Sequence, residues 1–127
     1  MRKSIITAVA ALAMAVAVAG TASAAPTKTT LVYDGAILGN GQSFWTGTIK
    51  SSNKACMLNR SVTVFKVKPG ADKKIGTGKA HRNLNATGFN WDVSAVLAVK
   101  NGEKYYAAVK ATASCGGDTS NVRAFKR

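Results

Sequence analysis

The chain has 127 residues, 46% of them hydrophobic, with 18 Lys and Arg against five Asp and Glu, a formal charge of +13. This length suits one domain with a modest core. A single histidine, two cysteines and five scattered acids argue against a metal centre, which needs clustered ligands, and against triad or two-carboxylate catalysis.

Residues 1–24 read as a secretory signal peptide. Arg2 and Lys3 give a positive start, residues 5–18 carry no charge, and Ala22-Ser23-Ala24 offers a small-residue cleavage pattern before Ala25. The alternative is an uncleaved anchor, but a spanning helix needs ~20 apolar residues, and this run is shorter and rich in alanine. The expected mature domain is 25–127, with a formal charge of +11 and no second apolar run long enough to span. Its expected location is secreted, extracellular or associated with the cell envelope.

Such a charge attracts polyanions: cell-wall polymer, acidic polysaccharide, anionic lipid or nucleic acid. The lysines are spread from Lys28 to Lys126 with no block of five like charges, which favours a solvated basic surface over a dedicated tail. Export argues against nucleic acid as the main target. In an exported protein Cys56 and Cys115 read as a disulfide; in a reducing cytosol they would be buried free thiols. Closing a loop of about 60 residues is worth on the order of 4 kcal/mol in chain entropy.

After residue 25 the apolar residues alternate or fall in short β-branched and aromatic clusters, with no helical period. A short strand is expected at 29–33, a turn at Asp34-Gly35 and another at Gly39-Asn40-Gly41. Strand 44–51 puts Trp45, Gly47 and Ile49 on one face. Strand 61–68 is the densest in β-branched residues. Its apolar parity switches between Val64 and Phe65, so either both faces are partly covered or a bulge sits there. Pro69-Gly70-Ala71-Asp72 is a turn. Gly76 and Gly78 predict an edge or a bulge in strand 74–82. Strand 89–95 alternates Phe89, Trp91, Val93 and Ala95 with polar residues, and 96–99 either extends it or begins the connection. Asn101-Gly102 is a hairpin signal. It precedes strand 103–111, with Tyr105, Ala107, Val109 and Ala111 on one face. A final strand is expected at 119–126, with Val122 and Ala124 in phase. Seven short strands with frequent turns predict an all-β sandwich with Greek-key-like connections.

Several positions carry a family resemblance. They are Phe44-x-x-Gly47-x-Ile49-x-Ser51 before Cys56, Arg60-x-Val62-x-Val64, and Pro69-Gly70-x-Asp72-x-x-Ile75-Gly76. Asn85-x-x-Gly88-x-x-Trp91, Gly102-x-x-Tyr105-Tyr106-Ala107-x-Val109 and Cys115 follow. This pattern resembles the secreted prealbumin-like, carboxypeptidase-regulatory-like β-sandwich modules of bacteria, and the Thr30-x-x-Tyr33-Asp34-Gly35 opening resembles the actinobacterial forms. The resemblance implies an extracellular, Ig-like seven-stranded sandwich with a structural, adhesive or carbohydrate-binding role and no enzyme activity. No attached catalytic domain is expected, a departure from the common context of these modules, and action alone or with a partner in trans is the expectation. A shared fold by itself does not assign function.

The candidate chemistry is sparse. His81 and Asp92 are the one His and acid in a common strand-pair region, with Ser94 or Ser114 as conceivable nucleophiles; no motif joins them, and His81 reads as a solvated strand residue. No cofactor or metal is expected. Trp45 and Trp91 share parity with apolar neighbours and read as core. Tyr105 and Tyr106 point oppositely, so Lys104, Tyr106 and Lys110 form the candidate binding patch. Asn59-Arg60-Ser61 and Asn85-Ala86-Thr87 fit the glycosylation pattern by chance. The expected function is non-catalytic, a structural or binding role toward anionic wall polymer, carbohydrate or an extracellular protein. The alternative is a secreted inhibitor or antimicrobial-type protein; its partner-binding end would need 51–55 and 112–117 in one exposed loop cluster.

Overall fold

The computed structural model describes residues 25–82 and 88–127. The expected signal peptide and the Asn85 sequon lie outside the described residues. Eight strands form: β1 (Thr29–Gly39), β2 (Gln42–Ser51), β3 (Ser61–Lys66), β4 (Lys73–Arg82), β5 (Phe89–Ala95), β6 (Lys104–Val109), β7 (Asp118–Thr119) and β8 (Arg123–Ala124). A single 3₁₀ turn, Lys54–Cys56, lies between β2 and β3.

All strand pairs are antiparallel, in the order β1-β2-β5-β4-β3-β6-β7, with β8 also paired to β6. β4 joins the two layers of the sandwich: residues 73–79 pair with β3 and residues 80–82 with β5. The run β3-β4-β5 is a meander, and β2 returns beside β5, which is a Greek key.

The core follows from strand alternation. Trp45 and Ile49 of β2 and Trp91 and Val93 of β5 meet Val62 and Val64 of β3 and Tyr105 and Ala107 of β6, all buried. Trp45 lies 5.5 Å from Tyr105 and Trp91 lies 6.3 Å from Tyr33, centroid to centroid. The Trp91 Nε1 donates to the carbonyls of Val32 and Thr48, each at 3.2 Å, whereas the buried Trp45 Nε1 has no partner among the described residues. Gly47 makes the Trp91 arrangement possible, because a Cβ there would overlap the Val32 carbonyl oxygen and the Trp91 ring.

Several local expectations are corrected. Asp34-Gly35 is no turn; it is a bulge inside β1, where the register skips Asp34 and Gly35 has φ 140°. The turn at Asn40 and Gly41 forms as expected, with φ of 51° and 75° closing a two-residue hairpin. The parity switch in β3 reflects two partly covered faces, and the bulge opposite it belongs to β4, because β3 stays in continuous register with β6. The β3–β4 register skips Ile75, and Phe65 on the outer face stacks on Tyr106 at 5.4 Å. Of the two readings for β4 the bulge holds, since Ile75 is its extra residue, while the strand lies inside the sheet rather than at an edge; Gly78 lets β5 pass so close that a Cβ would overlap the Asp92 carbonyl oxygen. Residues 96–99 begin the connection, since β5 ends at Ala95.

The expected final strand divides into β7 and β8, which flank Ser120, Asn121 and Val122. The phase there is also corrected: Val122 is exposed and Phe125 is buried. Asn121 explains the break. It lies beside the β1 backbone, accepting from the Tyr33 N–H and donating to the Tyr33 carbonyl, each at 3.0 Å.

Candidate functional site

The disulfide forms between Cys56 and Cys115, with Cα atoms 5.4 Å apart. Arg60 reinforces it. This buried guanidinium donates to the Cys56 carbonyl (2.8 Å), the Lys110 carbonyl (2.7 Å), the Gly116 carbonyl (3.0 Å) and the Thr29 Oγ1 (3.3 Å). It faces carbonyl dipoles rather than a carboxylate, and burial lowers its pKa. Thr27 completes the junction, donating to the Ser114 carbonyl (3.0 Å) and accepting from the Gly116 N–H (2.7 Å). The two cysteine loops therefore sit at one end of the sandwich. Residues 52–55 and 112–114 are exposed there, which is the loop cluster that a partner-binding end requires.

Beside this end is a basic cleft of about 630 Å³. Four segments supply its cations: Lys28 from the lead into β1, Lys50 from β2, Lys54 from the 3₁₀ turn and Arg82 from the end of β4. Thr30, Ser51 and Ser52 add hydroxyls, while Met57 and Phe89 add an apolar floor. The register explains part of the convergence, since Thr30 lies opposite Lys50 and Arg82 opposite Phe89. The loop is tied down locally. The Ser51 hydroxyl donates to the Lys28 carbonyl (2.9 Å), and Asn53 Oδ1 accepts from the Ala55 N–H (3.1 Å).

No carboxylate lines the cleft, because four of the five acids are engaged elsewhere. Glu103 pairs with Lys66 and accepts from the Lys100 N–H, which together hold its carboxyl down to about 2. Asp72 accepts from Tyr106, Asp92 bonds to His81, and Asp118 accepts from the Leu31 N–H. Asp34 borders a separate groove.

The predicted patch lies on the outer face of β6. Lys104 and Lys110 are exposed, Tyr106 is half-buried, and Tyr105 is buried on the opposite face. The patch is a line rather than a pocket: six residues of extended strand separate the two lysines by ~20 Å. Phe65 occupies one face of the Tyr106 ring, and the Tyr106 hydroxyl donates to Asp72 Oδ2 at 2.6 Å. That bond lowers the Asp72 pKa and raises that of Tyr106.

His81 and Asp92 come together on an exposed face, Nε2 to Oδ2 at 3.1 Å. Among the described residues neither Ser94 nor Ser114 bonds to the pair; Ser114 Oγ neighbours the Cys115 sulfur instead. No group of three or more His, Cys, Asp or Glu placed to hold a metal occurs among the described residues. No described helix is long and apolar enough to cross a membrane.

The basic cleft was missed from sequence. Its four cations lie at positions 28, 50, 54 and 82, each isolated in the chain. The one available signal was that Lys28, Lys50 and Arg82 stand at or beside expected strand ends and Lys54 in the loop after one, where strands of a sandwich converge. The chain matches no protein-family model, and no curated protein is significantly similar to it.

Proposed function

We propose that this chain is an exported, non-catalytic, prealbumin-like β-sandwich that binds an anionic wall polymer or acidic carbohydrate at the cell envelope. The carrying observation is the cleft: four cations, three hydroxyls and no carboxylate around one concavity. Cations on separate segments hold a spacing that a flexible basic tail does not, so charge is presented to successive anions of one polymer. The disulfide and the lack of a membrane-crossing helix among the described residues are compatible with an extracellular setting. The binding is electrostatic and therefore screened by salt, as the Debye length falls from ~10 Å at 0.1 M to ~3 Å at 1 M.

A second reading, a secreted inhibitor or antimicrobial-type protein, is favoured by the exposed loops that gather at the same end. Purified cell-wall material separates the readings. The expected result is retention at low ionic strength and release by about 0.5 M salt, where screening is strong. Retention that ignores salt, or no retention at all, contradicts the polymer reading; killing or enzyme inhibition without wall binding favours the second.

A further inference from the structure

Among the described residues, strand β1 lies at one end of the strand order and pairs only with β2. Its outer edge is treated differently along its length. In the first half, Asp118 accepts from the Leu31 N–H at 2.8 Å, and Asn121 both accepts from and donates to the Tyr33 backbone. These two side chains stand in for a neighbouring strand. Among the described residues the second half has no such cover. Strand alternation fixes which groups are open there. Gly39 and Gln42 close the two-residue hairpin, so Gly39 bonds toward β2. Ile37 and Gly35 then do likewise, and the N–H and C=O groups of Ala36 and Leu38 point outward. Among the described residues nothing bonds to them.

Beyond the bulge at Asp34-Gly35, the usual guards of a free edge are missing here. From Gly35 to Gly39 there is no lysine, no proline and no charge, and Ile37 is 60% exposed. A bare edge of this kind is a template for an added strand. At its Ala36 end lies a groove of about 470 Å³, whose β1 wall is Asp34, Gly35 and Ala36 and whose other wall is residues 123–126 of the β8 segment. That wall supplies Arg123 and Lys126, against the single acid Asp34.

We propose that the β1 edge from Ala36 to Leu38 is a docking site for an extended, acidic segment of a partner protein, which adds to the sheet as a further strand. Backbone groups of Ala36 and Leu38 supply the pairing, and Arg123 and Lys126 supply the preference for acidic side chains. The same charge argues against a second copy of this chain as occupant, because two domains of formal charge +11 over residues 25–127 repel. This site is separate from the basic cleft, so either assignment can fail alone.

The test uses the disulfide-bonded protein and two capped six-residue peptides that alternate valine with either glutamate or lysine. The readout is residue-resolved amide exchange by nuclear magnetic resonance. The glutamate peptide is expected to slow exchange at Ala36 and Leu38 at least tenfold, and the lysine peptide to leave both unchanged. Ala36→Pro, which removes an outward donor at an edge where proline is tolerated, should abolish the protection of Leu38, the outward amide that remains. Ile37→Glu, which leaves every backbone donor in place and sets a like charge against the glutamate peptide, provides a second variant and should weaken it. The proposal is overturned if millimolar glutamate peptide leaves both amides unprotected, or if both peptides protect equally. Responses confined to Lys28, Lys50, Lys54 and Arg82, or protection that rises with protein concentration alone, also overturn it; the latter assigns the edge to a second copy.

Discussion

Two buried tyrosines show how single side chains set the stability of this domain. Burial pushes the Tyr33 phenol up to about 12, and burial with the neighbouring Glu103 raises Tyr105 further still. An unfolded tyrosine ionises near ~10. Below that pH both states keep the proton and the full stability is present. Above it the unfolded chain loses protons that the folded chain retains, so stability falls as pH rises from about 10 toward 12. Denaturant midpoints at pH 8, 10 and 11 should decline in that order, and a flat profile would remove the tyrosines from the account. Inward placement of Tyr105 was readable in the sequence, since it alternates with Tyr106 in phase with Ala107 and Val109. Its bond to Glu103 Oε1 at 3.0 Å was not, because a carboxylate two residues away in a strand signals nothing until the turn at 100–103 is built.

At the scale of elements, strands with strict alternation were legible and those that depend on tertiary partners were not. β2, β5 and β6 keep a two-residue period and appear where expected. β1 runs through Asp34-Gly35 because a bulge absorbs the extra residue, a solution that turn chemistry alone does not reveal. The last segment splits because Asp118 and Asn121 bond to β1 instead of continuing a ladder, a long-range choice with no local signature. The pairing of Cys56 with Cys115 was legible from compartment logic, whereas Arg60 was not, since a lone arginine gives no sign of burial. Arg60→Met leaves the carbonyls of Cys56, Lys110 and Gly116 without this donor. Losing a buried donor to several acceptors costs about 3 kcal/mol. Urea unfolding of the oxidised variant should show that loss, and a change under about 0.5 kcal/mol, the usual effect of a neutral surface substitution, would mean that the disulfide alone holds the two loops.

For the whole molecule, the sequence carried the sign and size of the charge but not its distribution. Lysines scattered along the chain read as a solvated surface, and most of them are that. The fold gathers Lys28, Lys50, Lys54 and Arg82 around one cleft while it places four of the acids in bonds elsewhere. A uniform basic field and a cleft differ in one respect: in a field every lysine counts equally, and in a cleft position decides. The measurement that separates them is the affinity for a soluble polyanion, such as polygalacturonate at low salt, of two double charge reversals. Lys50→Glu with Arg82→Glu removes charge from the cleft, and Lys104→Glu with Lys110→Glu removes the same charge from β6. The cleft pair should weaken binding at least tenfold and the β6 pair about twofold or less, consistent with the small, screened effect of isolated surface charges. Equal losses from the two pairs would contradict a binding cleft and leave only a general basic surface.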